Sequence, residues 1–303
     1  MFHRIVVPLD GSSFAESALG PARALAEAFN SQLLIVRAEA ATGLPQVATS
    51  TTESAQIQDE WKRLGAADAY LNEIVVDLRA SGLSADYALT LSDADHGIAQ
   101  IARLHEADTI LLASHPRWAL ADPQQPSTAR NLHMETRMPL LVYRPARNGV
   151  EHRAEASAAD SPPLAGADSP VIVLLDGSRL AEAALPYAQA LARAFQSYLA
   201  LTQTLPPGTS QAETKQAETY LELMCQEVVR SGDHAMTAVV YCAPASGIES
   251  IGRQLNSSLI VMTSHGQSHP SNVWLGSVAA RGVGKPALRV HRATTRSSLR
   301  RAS

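Results

Sequence analysis

Residues 263–278, TSHGQSHPSNVWLGSV, carry Gly266 and Gly276 on either side of nine residues, with Ser277 next. An apolar run, SLIVM, stands just before, and the helical candidate VAARGVG follows. A strand that ends in a small-residue loop and turns into a helix gathers backbone N–H groups able to hold phosphate oxygens. Glycine at 266 permits positive φ, and at 276 it lets the backbone approach an anion closely. Ser277 offers both a hydroxyl and an N–H. The spacing therefore fits a cradle for a nucleotide triphosphate. A plainer alternative stays open, in which Gly266 ends a strand and Ser277 is an ordinary helix cap. Asp176, in VIVLLDGS, has two readings as well: a ligand contact, or a carboxylate favoured at a helix start by the macrodipole.

Other chemistry finds less support in the sequence. His115 and His265 both follow the fourth apolar run, but His265 and His269 sit in a loop without the fixed spacing of a helical metal pair. The P-loop signature with its lysine is absent, as is the G-x-S-x-G elbow of serine hydrolases. No residue is nominated as a nucleophile with its base. Cys225 and Cys242 lack metal-ligand spacing and the density of a disulfide scaffold.

The elements that must position these residues occur twice. RIVVPLDGSSFAESALGPARALAEAF (4–29) aligns with PVIVLLDGSRLAEAALPYAQALARAF (170–195), placing Asp10 on Asp176. HGIAQIARLHEADTILLASHP (96–116) aligns with SGIESIGRQLNSSLIVMTSHG (246–266) at a smaller offset, so the second copy has lost residues after its second strand. Each copy alternates apolar strand and helix. Strands are predicted at Ile5–Leu9, Leu33–Ala38, Tyr87–Leu91 and Thr109–Ala113, and at Val171–Leu175, Leu199–Thr204, Ala238–Tyr241 and Leu259–Thr263. A fifth follows Pro139 and Pro286. Ser13 with Glu16 reads as a capping box, and Pro21 and Pro186 predict a kink or a weak first turn. Strict alternation predicts an α/β fold of two tandem doubly wound domains, each a mostly parallel five-stranded sheet with helices on both faces. The boundaries read as 1–146, a Pro/Ala/Ser-rich linker at 147–169, a second domain at 170–292 and a flexible tail at 293–303.

Composition agrees with this. The 303 residues are 46% hydrophobic and 18% charged, as in ordinary globular chains, and suffice for two cores. A net charge of -4 gives no broad basic field, which argues against nucleic-acid or anionic-membrane binding. No apolar stretch of about 18 residues could span a bilayer. With two cysteines and no signal peptide, a cytoplasmic location is expected.

The combination of IVVPLDGS with AESAL, VIVLLDGS with AEAAL, and SHG…LGS after the fourth strand resembles the universal stress protein family in its tandem two-domain form. The ATP-binding members carry G-x2-G-x9-G-S/T. Against that pattern the second copy has Thr263 at the first glycine, then Gly266, Gly276 and Ser277. The resemblance implies that Asp176 and Thr204 hold the adenosine and that Val278 adds a phosphate-facing N–H. The first copy departs further. Ala113, Pro116 and Pro126 stand at the three glycine positions, with Ser127 retained. Proline supplies no N–H and fixes φ, so that copy is expected not to hold a triphosphate.

The resemblance thus implies a stress-response protein that binds ATP, with or without Mg²⁺, in its C-terminal domain and has a sensing role rather than efficient catalysis. A rival reading is a protein-interaction module with both sites lapsed. In the resembled family the fifth strand pairs across a dimer. PLLVYRP and PALRV could therefore pair within one chain as a pseudo-dimer, and two chains could also form a homodimer.

Overall fold

The computed structural model describes residues 1–40, 51–113, 128–136, 138–143, 169–241, 257 and 259–263. The chain divides into two compact units, Met1–Pro163 and Leu164–Ser303.

In unit 1 the order is β1 (Arg4–Pro8), α1 (Ser13–Glu16), α2 (Leu19–Phe29), β2 (Gln32–Glu39), α3 (Thr51–Ala80), β3 (Ser84–Leu91), α4 (Ala94–Leu104), β4 (Thr109–Ala113), α5 (Thr128–Thr136) and β5 (Leu140–Tyr143). The strands form one parallel sheet in the order β3-β2-β1-β4-β5. Central β1 buries Ile5, Val6 and Val7 completely. A strand covered on both faces reads as a continuous apolar run, which is why it was legible. On one face Val6, Leu34, Val36, Ile110 and Leu112 pack with Ile98, Ala99 and Ala102 of α4 and Leu132 of α5. The alternate residues Ile5, Val7, Leu33 and Ile35 are also buried and point to the opposite face, on the side of α2 and α3.

Unit 2 repeats the plan with β6 (Val171–Leu174), α6 (Arg179–Glu182), α7 (Leu185–Ala194), β7 (Leu199–Leu205), α8 (Gln211–Arg230), β8 (Ala235–Tyr241) and β9 (Leu259–Val261). Its described strands are parallel in the order β8-β7-β6-β9, matching β3-β2-β1-β4. The strand expected after Pro286 and the tail at 293–303 lie outside the described residues, as does nearly all of the expected linker. The pairing expected between fifth strands therefore involves residues beyond this description.

Three local readings change. The first helix of each copy is two helices, broken at Ser17–Ala18 and at Ala183–Ala184. Pro21 and Pro186 lie in the first turn of the second piece, where a missing N–H costs least. The cap of α1 is Ser12 and not Ser13, because the Ser12 hydroxyl accepts the Ala15 N–H at 3.1 Å. The shortening of the second copy also removes helix as well as loop: α3 has 30 residues and α8 has 20. Segment 51–60 is rich in residues compatible with helix and contains no glycine or proline. In the second copy Ser210 and Glu213 cap the shorter helix reciprocally.

Candidate functional site

The strand order reverses beside β1 and β6, where connections leave in opposite directions. In open α/β sheets ligands bind at the carboxyl ends of the strands at such a point. The loops that follow β1 and β6 are nearly identical. Asp10 Oδ1 accepts the Ser12 N–H at 2.9 Å and the Ser12 hydroxyl at 2.6 Å. Asp176 Oδ1 accepts the Ser178 N–H at 3.0 Å and the Ser178 hydroxyl at 2.6 Å. Each serine in turn caps a helix, Ser178 accepting the Ala181 N–H at 3.1 Å. Gly11 and Gly177 take φ of +84° and +83°, a conformation that strains any side chain with a Cβ. Burial pushes the Asp10 carboxyl up, but the Ser12 hydroxyl and N–H and the nearby Arg37 charge outweigh it and hold it below its ordinary value. Both readings of Asp176 thus remain compatible: it orders the turn with one oxygen whatever else it meets.

Thr204 lies at the end of β7, in register with Val240 of β8. Its counterpart Ala38 packs against the apolar cluster beneath α4 and α5. The substitution sets a hydroxyl where unit 1 has a methyl. Thr263 lies two residues past the end of β9, at the position where Ala113 ends β4. Asp176, Thr204 and Thr263 therefore stand at the carboxyl ends of three adjacent strands, β6, β7 and β9. Gly266, Gly276, Ser277 and Val278 lie outside the described residues. So do His115, Pro116, Pro126 and Ser127 of the first copy, and His265 of the second.

In unit 1, a polar network on the α3 side of the equivalent sheet edge was not singled out in the sequence. Arg37 Nε donates to Glu39 Oε1 at 2.7 Å, and Glu39 also pairs with Arg63, which donates to Glu60 Oε1 at 2.6 Å. The Arg37 guanidinium lies 5.5 Å from the centre of the Tyr70 ring, whose hydroxyl donates to Glu16 at 2.8 Å. A signal existed. Tyr70 and Glu16 recur as Tyr220 and Glu182 in the second copy, and that pair is joined at 3.3 Å.

Among the described residues no group of three or more His, Cys, Asp or Glu could hold a metal ion. No described helix is long and apolar enough to cross a membrane. Cys225 is a free thiol, and burial pushes its ionisation up, so it is a poor nucleophile.

Comparison with known proteins adds to this geometry. The model of the Universal stress protein family matches residues 1–144 and 169–286. No curated protein matches the sequence. A universal stress protein from Archaeoglobus fulgidus DSM 4304 superposes with a TM-score of 0.61 at 14% identity, covering 86% of this chain and 84% of that one. A functionally unknown protein from Pseudomonas aeruginosa PAO1 gives 0.62 at 15% identity, covering 93% and 89%. A shorter universal stress protein, solved in complex with cAMP, gives 0.37 at 18% identity over 48% of this chain and 98% of its own.

Proposed function

Because this chain belongs to the universal stress protein family over both of its copies, we propose that it is a stress-response protein whose C-terminal unit binds ATP. The observation that carries this reading is the convergence of Asp176, Thr204 and Thr263 at one sheet edge, beside the switch in strand order. The sequence supplies the remaining parts, Gly266, Gly276 and Ser277, for the phosphates, and Val278 would add an N–H. Mg²⁺ would arrive with the triphosphate and need few protein ligands, since that ion keeps most of its waters.

In this reading the protein reports nucleotide state and does not turn ATP over efficiently, because no group near Asp176 is nominated to activate water. Unit 1 keeps the turn without the ligand. Its Ala38 packs on the apolar cluster, and two prolines replace glycines in its loop. We place the protein in the cytoplasm, where ATP is abundant.

Calorimetric titration of MgATP into the whole chain tests this. The expected result is one site per chain, lost in Gly276→Pro, which carries the first copy's substitution into the second. No heat and no thermal stabilisation at millimolar ATP would leave the interaction module as the better account.

A further inference from the structure

Met1, Phe2 and His3 lead into β1, and the segment is held from within. The Phe2 ring is buried and lies 4.8 Å from that of Phe29. The Ser31 hydroxyl donates to the Phe2 carbonyl, and the Gln32 N–H donates to the His3 carbonyl at 2.8 Å. The His3 side chain, by contrast, is 81% exposed. Its Nδ1 lies 2.9 Å from the Met1 amino nitrogen, and Asp108 Oδ2 stands 3.1 Å from Nδ1 and 3.6 Å from the amine. Phe2 takes φ of +58°, a left-handed conformation that is uncommon for a bulky side chain. The fold does not require this group, since Ser169 and Ser258 stand in the second copy where the first has His3 and Asp108. As exposed ion pairs its members contribute little to stability.

An α-amine, the next two backbone nitrogens and the imidazole Nδ1 of the third residue make a complete donor set. Bound together they close three fused chelate rings around one ion, all in one plane. Nitrogen donors in a plane suit Cu(II) or Ni(II), and Cu(II) stands highest in the general order of divalent affinities. Two nitrogens bound side by side at about 2.0 Å stand about 2.8 Å apart. The Met1 amine and His3 Nδ1 are therefore already at the separation that neighbouring ligands need. The two backbone nitrogens come into the plane when Phe2 φ turns to an extended value. That rotation moves only Met1, leaves the Phe2 ring in place and releases the left-handed strain.

We propose that Met1-Phe2-His3, with its amino group free, binds one Cu(II) or Ni(II) through the Met1 amine, the Phe2 and His3 backbone nitrogens and His3 Nδ1. Binding releases three protons, one from the Met1 ammonium and one from each amide, and the imidazole enters neutral. The two amide nitrogens, now negative, offset the charge of the ion. The His3 N–H, which donates to Asp108 at 3.0 Å, gives up that bond, and the carboxylate remains at hand for an axial position. Zn(II), which prefers a tetrahedron, matches the plane poorly. The site lies at the amino edge of the unit 1 sheet and needs no nucleotide, so it stands or falls separately from the ATP reading.

The test uses the whole protein, its first residue verified as Met1 by mass spectrometry. Cu(II) is added as its glycine complex, which holds back weak sites, and is followed by visible absorption and electron paramagnetic resonance. One Cu(II) per chain is expected, with the signature of four nitrogens in a square plane. Ni(II) should give a diamagnetic complex at the same site, and Zn(II) should not compete. His3→Gln removes one ligand, and a single glycine added ahead of Met1 displaces the amine while leaving every side chain in place. Changes around a metal's ligands cost about 10–100-fold in affinity, so loss of a ligand in either variant should cost more than about a hundredfold. Absence of the four-nitrogen species overturns the proposal. Its survival in either variant does so too, because the ion is then held elsewhere; the glycine extension decides alone if His3→Gln fails to fold.

Discussion

Asp10 and Asp176 make the same turn, with the same serine partners, in copies that differ in the loop expected to complete a ligand site. The turn therefore has a structural role of its own. Ser12→Ala and Ser178→Ala should each cost about 1 kcal/mol, the usual loss for a helix cap, measurable by urea unfolding. A second residue-scale expectation concerns acid. The Arg193 hydrogen bond is the largest influence on Asp233 and, with Gln189 and Ser231, outweighs burial to hold its carboxyl below 3.8. A depressed carboxyl contributes stability fully above its unfolded value and loses it as pH falls through the folded one. Unfolding followed below pH 4 should show a shallower loss in Asp233→Asn than in the natural protein. At this scale the sequence was only partly legible. Asp176, Thr204 and Thr263 could be named because the motifs of the resembled family align onto them at the ends of apolar runs. Arg37 could not, because its partners Tyr70 and Glu39 lie on different elements and meet only after the sheet forms.

The elements were legible where burial is two-sided. Ile5–Val7 and Val171–Val173 are fully buried, and their uninterrupted apolar runs marked them as central strands. Edges were less clear, since Ser84–Tyr87 mixes polar and apolar residues, and β3 begins earlier than periodicity implied. The long helices cover the sheets through a few side chains, notably Leu71 in α3 and Leu221 in α8, both fully buried. Leu71→Ala and Leu221→Ala should each lose about 2–5 kcal/mol. Equal losses would indicate that the extra turns of α3 add little to its anchoring. A clearly smaller loss for Leu71→Ala would indicate that those turns help to hold the helix. Within the part of α3 that both copies share, Arg63 ties the helix to the buried Glu39. Arg63→Ala should cost about 1–3 kcal/mol, because it removes a charged partner from a buried carboxylate.

For the whole molecule, two compact units with separate cores imply two contributions to thermal unfolding. If ATP binds unit 2 alone, calorimetry should show one component shifted and the other unchanged. At 100-fold excess over Kd the stabilisation should be about 2.7 kcal/mol. A shift of both components would mean that the first copy also takes nucleotide. The strand order has a further consequence, for the time course of synthesis. β1 and β6 are made first in their units and come to lie in the middle of their sheets, yet each gains its second neighbour only when a much later strand appears. Until Thr109 leaves the ribosome, Ile5 and its apolar neighbours have an open flank, and Val171 waits likewise for Leu259. Long-range parallel pairing is slow, and such flanks are sticky. Losing residues after β7 shortens that wait in the second copy, so a nascent chain should need less chaperone protection over its second half than over its first.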